Sequence, residues 1–103
     1  SIDPVVSTFL SELRSSLGPA IREVWLFGSR ARGDAQEGSD YDVLVVAEGA
    51  VPELRKKVQD AEWTCMERHN ALVSGIVYTV RQWAERKQTP LGWNIQREGK
   101  LVA

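Results

Sequence analysis

The segment from Tyr41 to Ala47, with the sequence YDVLVVA, restricts the fold more than any other part of this chain. Its run of consecutive aliphatic residues, VLVV, predicts a β-strand that is buried on both faces. Such a strand needs a packing layer on each side of its sheet, and helices commonly form these layers. The segment therefore indicates an α/β fold with a small sheet.

Two long helices are predicted, one before this strand and one after it. The first begins at Asp3-Pro4, an N-cap followed by a first-turn proline, and ends at Gly18. Apolar residues recur along it at helical spacing. The second helix begins at Pro52. Its apolar seam consists of Leu54, Val58, Ala61 and Cys65.

Shorter elements complete the predicted order. Two further strands are expected, one from Val24 to Phe27 and one from Leu72 to Val80. A short helix from Gln82 to Lys87 follows, and another begins at Thr89-Pro90 and stops at Gly99. The order α-β-β-α-β-α predicts an α/β (α+β) fold, a small mixed sheet flanked by helices.

The composition excludes several classes of protein. Of the 103 residues, 43% are hydrophobic and 26% are charged, which is typical of one globular domain, here residues 1–103, and not of a disordered or fibrous chain. The apolar runs are too short to span a membrane, and no secretion signal is recognisable. The lone cysteine, Cys65, fits a reducing compartment. We therefore expect a cytoplasmic protein without a membrane partner.

Charge is distributed unevenly along the chain. The formal net charge of −1 argues against general binding to nucleic acid. Residues 81–103, however, hold five Lys or Arg against two Asp or Glu, a net charge of +3. This segment is either a set of solvated helix faces or a docking tail for an acidic partner or an RNA. Trp63, Trp83 and Trp93 are either core residues or part of a docking surface.

Two aspartates, Asp40 and Asp42, lie at the start of the apolar strand. Side chains at positions i and i+2 of a strand point to the same face, with Cα atoms about 6.6 Å apart at roughly 3.3 Å per residue. Two carboxylates this close repel each other unless a positive charge lies between them. A Mg²⁺ ion would relieve the repulsion, since it binds one or two carboxylates together with substrate phosphates. Alternatively, both carboxylates cap the backbone of a turn.

A glycine–serine turn and two arginines precede this carboxylate pair. Gly28 and Ser29 directly follow the first predicted strand. A glycine there lets the backbone approach a phosphate closely, and the serine adds a hydroxyl donor. Arg30 and Arg32 offer charge-assisted hydrogen bonds to phosphate. The turn and the arginines are therefore predicted to bind phosphate groups.

These residues together resemble the signature of the minimal nucleotidyltransferases, small members of the DNA polymerase beta-like superfamily. The family pattern G-S-x-A-x-G followed by S-D-x-D is matched by GSRARG at 28–33 and SDYD at 39–42. The match is close over residues 27–46, and the order of elements extends it over most of the chain. The resemblance implies the nucleotidyltransferase fold, with the Gly-Ser turn holding a nucleoside triphosphate such as ATP. It also implies that Asp40 and Asp42 bind Mg²⁺, and that a nucleoside monophosphate passes to a hydroxyl with loss of pyrophosphate.

One departure from the family pattern concerns a third carboxylate. The family usually carries it on the next strand, where it helps to hold the catalytic metal and to activate the attacking hydroxyl. Here that strand is ALVSGIVYTV, residues 71–80, which contains no acid, and Ser74 is expected in the usual place. Glu62 or Glu67 on the preceding helix is the alternative source. The sequence therefore supports nucleotide binding more strongly than turnover.

The resemblance also implies a protein partner. Relatives often pair with a small, all-helical HEPN ribonuclease protein as antitoxin to toxin, and some adenylylate that partner. Association of two copies of this chain is a further expectation. Two other functions remain open: a non-catalytic module of the same fold that neutralises its partner by contact alone, and an enzyme that modifies a small hydroxyl compound such as an aminoglycoside. The last normally needs an added substrate domain.

Overall fold

The computed structural model describes residues 3–103, and within that range the chain forms five α-helices and a four-stranded sheet. A short 3₁₀ turn, Gly18–Ala20, joins the first helix to the first strand. The helices are α1 Pro4–Leu17, α2 Ser29–Arg32, α3 Val51–His69, α4 Val80–Arg86 and α5 Pro90–Glu98. The strands are β1 Ile21–Phe27, β2 Tyr41–Ala47, β3 Val73–Thr79 and β4 Lys100–Leu101. The predicted α/β fold with a small sheet is confirmed.

The strand order is β3-β2-β1-β4, and the sheet is mixed, as predicted. β2 lies antiparallel to β1 and parallel to β3, while β1 also pairs antiparallel with the short β4. The apolar strand β2 is therefore central, and all its residues from Val43 to Ala47 are buried. This confirms the prediction that both faces of this strand are covered.

The two faces of the sheet have different covers because side chains alternate along each strand. One face packs against α1 and α3, and its contacts include Phe9, Leu13, Val43, Val45 and Val58. The opposite face, which we call the open face because it is accessible at Asp42 and Ser74, is covered further along the strands by Trp83 of α4 and Ile95 of α5 over Leu44 and Val46. Asp42, two residues before Leu44 on β2, therefore belongs to the open face.

Asp3 begins α1 as the sequence predicted. Its Oδ1 accepts hydrogen bonds from the backbone N–H groups of Val5, at 2.7 Å, and Val6, at 3.4 Å. Its Oδ2 accepts a third from the hydroxyl of Tyr41, at 2.8 Å. The N-cap therefore also ties α1 to the start of β2, the strand that carries Asp42.

The C-terminal segment differs from the docking tail that was considered. Val24 of β1 donates its N–H to the carbonyl of Ala103 at 2.9 Å and accepts from the N–H of Val102 at 2.8 Å. Trp83 is 4% exposed and belongs to the core, whereas Trp93 is 57% exposed. Residues 81–103 are thus part of the fold rather than an appended tail, because they supply an edge strand and two covering helices.

The strands also differ from the predictions in their limits and in their number. β1 begins at Ile21, three residues earlier than expected, and its register on β2 shifts between Ile21 and Glu23. The apolar pattern did not predict this first part of the strand because Arg22 and Glu23 are charged. β4 was not predicted as a strand, since it is only two residues long. No helix in residues 3–103 is long and apolar enough to cross a membrane.

Candidate functional site

The site is built at the end of the sheet where β1 finishes and β2 begins. Phe27, the last residue of β1, pairs with Asp42 in the antiparallel ladder. The turn that follows Phe27 is therefore brought beside the aspartates, although about a dozen residues separate the two segments in sequence. Asp40 is exposed and Asp42 half-buried, while Tyr41 between them is buried on the helix-covered face. Asp42 therefore points to the open face, and Asp40, just before β2, is close enough for its charge to act on Asp42.

The electrostatics of Asp42 reflect this arrangement. Burial raises the pKa of Asp42 above its usual value, and the negative charge of Asp40 raises it further. The positive charge of Arg32 acts in the opposite direction and lowers the pKa of Asp42. In the absence of a cation, the two carboxylates are therefore a source of repulsion that Arg32 only partly offsets.

Gly28 makes room for the carboxylate of Asp42. Its φ of 72° lies in the left-handed region, which favours glycine. A Cβ at this position would overlap the Oδ2 atom of Asp42. The backbone carbonyl of Gly28 accepts from the N–H groups of Ala31, at 3.1 Å, and Arg32, at 3.0 Å, so the turn passes directly into α2. Ser29 directly follows Gly28 as the first residue of this helix and is half-buried.

The two arginines of α2 point to different surroundings. Arg32 lies 3.5 Å from Asp34 (Nε to Oδ2) and 3.5 Å from Glu98 (Nη1 to Oε2). Arg30 donates from Nε, at 3.1 Å, and from Nη2, at 2.9 Å, to the backbone carbonyl of Ser39. Its guanidinium carbon lies 4.4 Å from the centroid of the Tyr41 ring. The charge of Arg32 therefore acts on Asp42, whose pKa it lowers, whereas Arg30 lies against Tyr41 on the side of β2 covered by α1 and α3.

The expected position of a third carboxylate is occupied by a serine. Ser74 of β3 pairs with Asp42 in the parallel ladder, so its exposed side chain lies on the same face beside Asp42. Glu62 accepts a hydrogen bond from the N–H of Gly75 at 2.7 Å, on the face covered by α3. Burial raises the pKa of Glu62, and the bond from Gly75 counteracts this rise. Glu62 and Glu67 therefore do not lie on the open face, because α3, which carries both, packs against the opposite face of the sheet.

The donor set fits a hard divalent cation. The carboxylates of Asp40 and Asp42 are close enough to interact electrostatically, and the missing side chain at Gly28 leaves space for the oxygen of Asp42. Mg²⁺ binds such oxygen donors and keeps its remaining positions for water and phosphate. No group of three or more His, Cys, Asp and Glu residues within the described range is placed to share a metal ion. The chain thus supplies two carboxylates, and additional ligands would come from substrate and water.

Two features of the site could not be predicted from the sequence. Glu98, at the end of α5, contacts Arg32 across 66 positions of the chain, and no local pattern marks this residue. The contact of Arg30 with Ser39 and Tyr41 was also missed. Nothing in the spacing of two arginines indicates which of them faces the carboxylates, because α2 is only one turn long.

Comparison with known proteins gives a consistent result. The family described as "Nucleotidyltransferase domain" matches residues 6–98. The protein adenylyltransferase MntA of Thermococcus cleftensis is 34% identical over 87 residues, which cover 77% of this chain and 85% of that protein.

Two solved structures of similar fold come from toxin–antitoxin complexes. A crystal structure of a toxin–antitoxin with AMP-PNP matches with a TM-score of 0.66 and 17% identity, covering 94% of this chain and 71% of the other. A structure of the tri-AMPylated HEPN toxin of Shewanella oneidensis in complex with an MNT antitoxin matches with a TM-score of 0.59 and 15% identity, covering 96% and 69%. At these identities, the likeness shows the fold alone. Because the family match spans most of its length, this chain belongs to the nucleotidyltransferase domain family, as a minimal nucleotidyltransferase.

Proposed function

We propose that this protein binds Mg²⁺ and ATP, or another nucleoside triphosphate, and transfers the nucleoside monophosphate to a hydroxyl group of an acceptor protein. One observation carries the proposal: Asp42 lies against Gly28, so that the carboxylate pair and the Gly-Ser turn form one site. The name of the Thermococcus cleftensis relative, a protein adenylyltransferase, supports AMP as the transferred group and a protein as the acceptor.

Each residue of the site has a proposed role. Asp40 and Asp42 hold the cation, while the backbone of Gly28 and the hydroxyl of Ser29 hold the phosphates. Arg32 contributes positive charge towards the phosphates. Bound Mg²⁺ would neutralise charge on the transferring and leaving phosphates. The acceptor oxygen forms a bond to the α-phosphorus, the bond from that phosphorus to the pyrophosphate breaks, and the hydroxyl proton leaves to a base or solvent. Arg30, which the sequence also predicted to bind phosphate, has no nucleotide contact in this proposal, because its Nε and Nη2 atoms already donate to the carbonyl of Ser39.

The proposed partner is a small helical HEPN-type protein in the cytoplasm, with this chain acting as antitoxin. The fold neighbours that occur in complexes with toxins support this proposal, one of them with an AMPylated HEPN toxin. The exposed Trp93 and Arg97 on α5 are a candidate contact surface for such a partner. Trp and Arg are enriched at protein interfaces.

A second candidate is a binding module of the same fold that neutralises its partner without chemistry. A specific observation favours it: the position next to Asp42 on β3 is Ser74, whose neutral hydroxyl is a weaker ligand for a hard cation than a carboxylate. The two candidates share ligand binding and partner binding. They differ in whether a nucleotide is transferred.

Calorimetry and labelling test these proposals in sequence. Titration of ATP in the presence of Mn²⁺ should show binding to the natural protein and none to the double variant Asp40→Ala, Asp42→Ala.

The protein is then co-expressed with the product of the adjacent reading frame, purified and incubated with ATP labelled at the α-phosphate. Label on the partner supports transfer. A stable complex that binds nucleotide without labelling supports the binding module, and equal ATP binding by both proteins refutes the site.

A further inference from the structure

Arg30 makes two contacts with the segment that carries the two aspartates. Its Nε and Nη2 atoms both donate to the carbonyl oxygen of Ser39, the residue before Asp40. Its guanidinium lies 4.4 Å from the centre of the ring of Tyr41, the residue before Asp42. Each carboxylate therefore directly follows a residue that Arg30 contacts.

The position of Tyr41 shows on which side of β2 the contacts of Arg30 lie. Tyr41 is 5% exposed and faces the layer formed by α1 and α3, where its hydroxyl donates to Asp3. Asp42 points to the opposite face, because side chains alternate along β2. The guanidinium of Arg30 is therefore separated from the carboxylate of Asp42 by the backbone of the strand itself.

The segment before Asp40 has few other restraints. Gln36 and Ser39 exchange two hydrogen bonds: the N–H of Gln36 donates to Ser39 Oγ at 2.9 Å, and the N–H of Ser39 donates to the carbonyl of Gln36 at 3.0 Å. These bonds close a local turn around Gly38, whose φ is 86°. They hold the turn together without tying it to the sheet. The link from Ser39 to α2 is made by Arg30.

The contacts of Arg30 require an arginine. Two parallel donors on one acceptor and a planar cation against an aromatic ring are both geometries of the guanidinium group. A lysine keeps the charge but is a point donor that cannot satisfy both contacts together. Arg32, two residues later, makes neither contact and instead lies between Asp34 and Glu98.

We propose that Arg30 is a positioning residue that holds the segment from Ser39 to Tyr41 and thereby fixes the direction of Asp40 and Asp42 towards the cation. It acts behind the strand and does not contact the nucleotide. This inference rests on the proposed function, since it concerns the same metal site. It assigns the two arginines of the GSRARG motif to different tasks, with Arg32 facing the phosphates and Arg30 supporting the carboxylates.

The substitution Arg30→Lys tests this assignment. Binding of Mn²⁺ alone, measured by electron paramagnetic resonance without nucleotide, should weaken by about tenfold, as is typical when a residue that supports metal ligands is replaced. The affinity for ATP at saturating Mn²⁺ should change by less than about twofold, because the phosphate contacts are kept. The matched control is Arg22→Lys. Arg22 is a surface residue paired with Glu48 at the other end of β1, and its replacement should change neither affinity.

A second measurement uses the natural protein and does not depend on a folded variant. The side-chain Nε–H signals of Arg30 and Arg32 are followed by ¹⁵N NMR while ATP and Mg²⁺ are added. The Arg32 signal should shift and the Arg30 signal should stay in place.

The possible outcomes separate this inference from the proposed function. An Arg30 signal that moves with ATP, or an Arg30→Lys variant with unchanged Mn²⁺ affinity and weakened ATP binding, overturns the positioning role alone. A natural protein that binds neither Mn²⁺ nor ATP overturns the proposed function, and this inference with it.

Discussion

The carboxylate of Asp42 occupies the space in which a side chain at Gly28 would begin. Gly28 follows the end of β1, Asp42 lies near the start of β2, and the pairing of Phe27 with Asp42 brings the two residues together. This contact links the Gly-Ser turn with the aspartate pair, and it makes glycine necessary at position 28 for two reasons. The backbone there has a positive φ, and the Cβ position is already filled.

Replacement of Gly28 by alanine should damage both stability and metal binding. Gly33→Ala is the matched control, because Gly33 also has a positive φ of 90° but a Cβ there meets nothing within 4 Å. Gly33→Ala should cost about 1–2 kcal/mol from backbone strain alone. Gly28→Ala should cost more and abolish Mn²⁺ binding, as measured by urea unfolding and calorimetry. Equal costs for the two variants, with Mn²⁺ binding retained, would contradict the proposed contact.

Asp42→Asn should stabilise the metal-free protein near neutral pH. Burial and the charge of Asp40 raise the pKa of Asp42 in the folded state. The folded protein therefore holds the proton more tightly than the unfolded chain. This tighter proton binding stabilises the fold. The stabilisation is fully present below the unfolded pKa of about 3.9, and it is lost as the pH rises through the folded pKa.

The gain for Asp42→Asn at about pH 7 should be about 0.5 kcal/mol, since the group is partly solvated and its charge is screened. It should shrink towards zero as the pH is lowered to about 3.5. Urea unfolding in EDTA at several pH values measures the difference, with the exposed Glu85→Gln on α4 as control. A loss of stability at neutral pH would mean that Asp42 makes a structural hydrogen bond.

Ser74→Asp should add a third carboxylate beside Asp42, since the two positions pair directly in the sheet. The metal-free variant should be less stable because three like charges meet on one face. Added Mn²⁺ should restore stability by mass action and bind more tightly than to the natural protein. Thermal unfolding with and without Mn²⁺ checks this, and the uncharged Ser74→Asn serves as control. If Mn²⁺ affinity is unchanged, Ser74 does not face the cation.

Glu62 should matter for the edge of the sheet and not for the metal. β3 is an edge strand, and the carboxylate of Glu62 accepts the N–H of Gly75 in its middle. Glu62→Ala should cost about 1 kcal/mol because it removes this acceptor, and it should expose a strand edge that promotes aggregation. Glu62→Gln retains an acceptor and should be milder. Urea unfolding and light scattering compare both with Glu67→Ala, an exposed site on the same helix. A marked loss of Mn²⁺ affinity in Glu62→Gln would place this residue in the metal site instead.

The two C-terminal tryptophans should respond differently to truncation. Trp83→Ala should destabilise the protein by about 3–5 kcal/mol, as removal of a buried aromatic residue does. Trp93→Ala should change stability by less than about 0.5 kcal/mol, since the side chain is mostly exposed. Combined with Arg97→Ala, it should weaken co-purification with a protein partner while the melting temperature stays nearly constant. Undiminished co-purification would exclude this part of α5 from the interface.

Features that depend on neighbouring residues in the chain were predictable. The aliphatic run of β2 marks a buried strand by its composition, and Asp3 marks the start of α1 by its N-cap position; both predictions are confirmed. The two aspartates and the Gly-Ser turn could be selected as a candidate site because residue type and spacing are properties of the sequence. Alternation along a strand also predicts, without any tertiary contact, that Asp40 and Asp42 share a face.

Features that depend on packing between distant segments were decided only by the tertiary structure. The register of β3 on β2 sets Ser74 beside Asp42, and a shift by one residue would have turned it into the core. The one-turn helix α2 sends Arg30 behind the strand and leaves Arg32 near Asp42, because Ser39 and Tyr41 offer partners for only one guanidinium. The C-terminal residues form β4 because the edge of β1 has free hydrogen-bonding groups there. A two-residue strand has no pattern of its own, so its place is set by the neighbour that it pairs with.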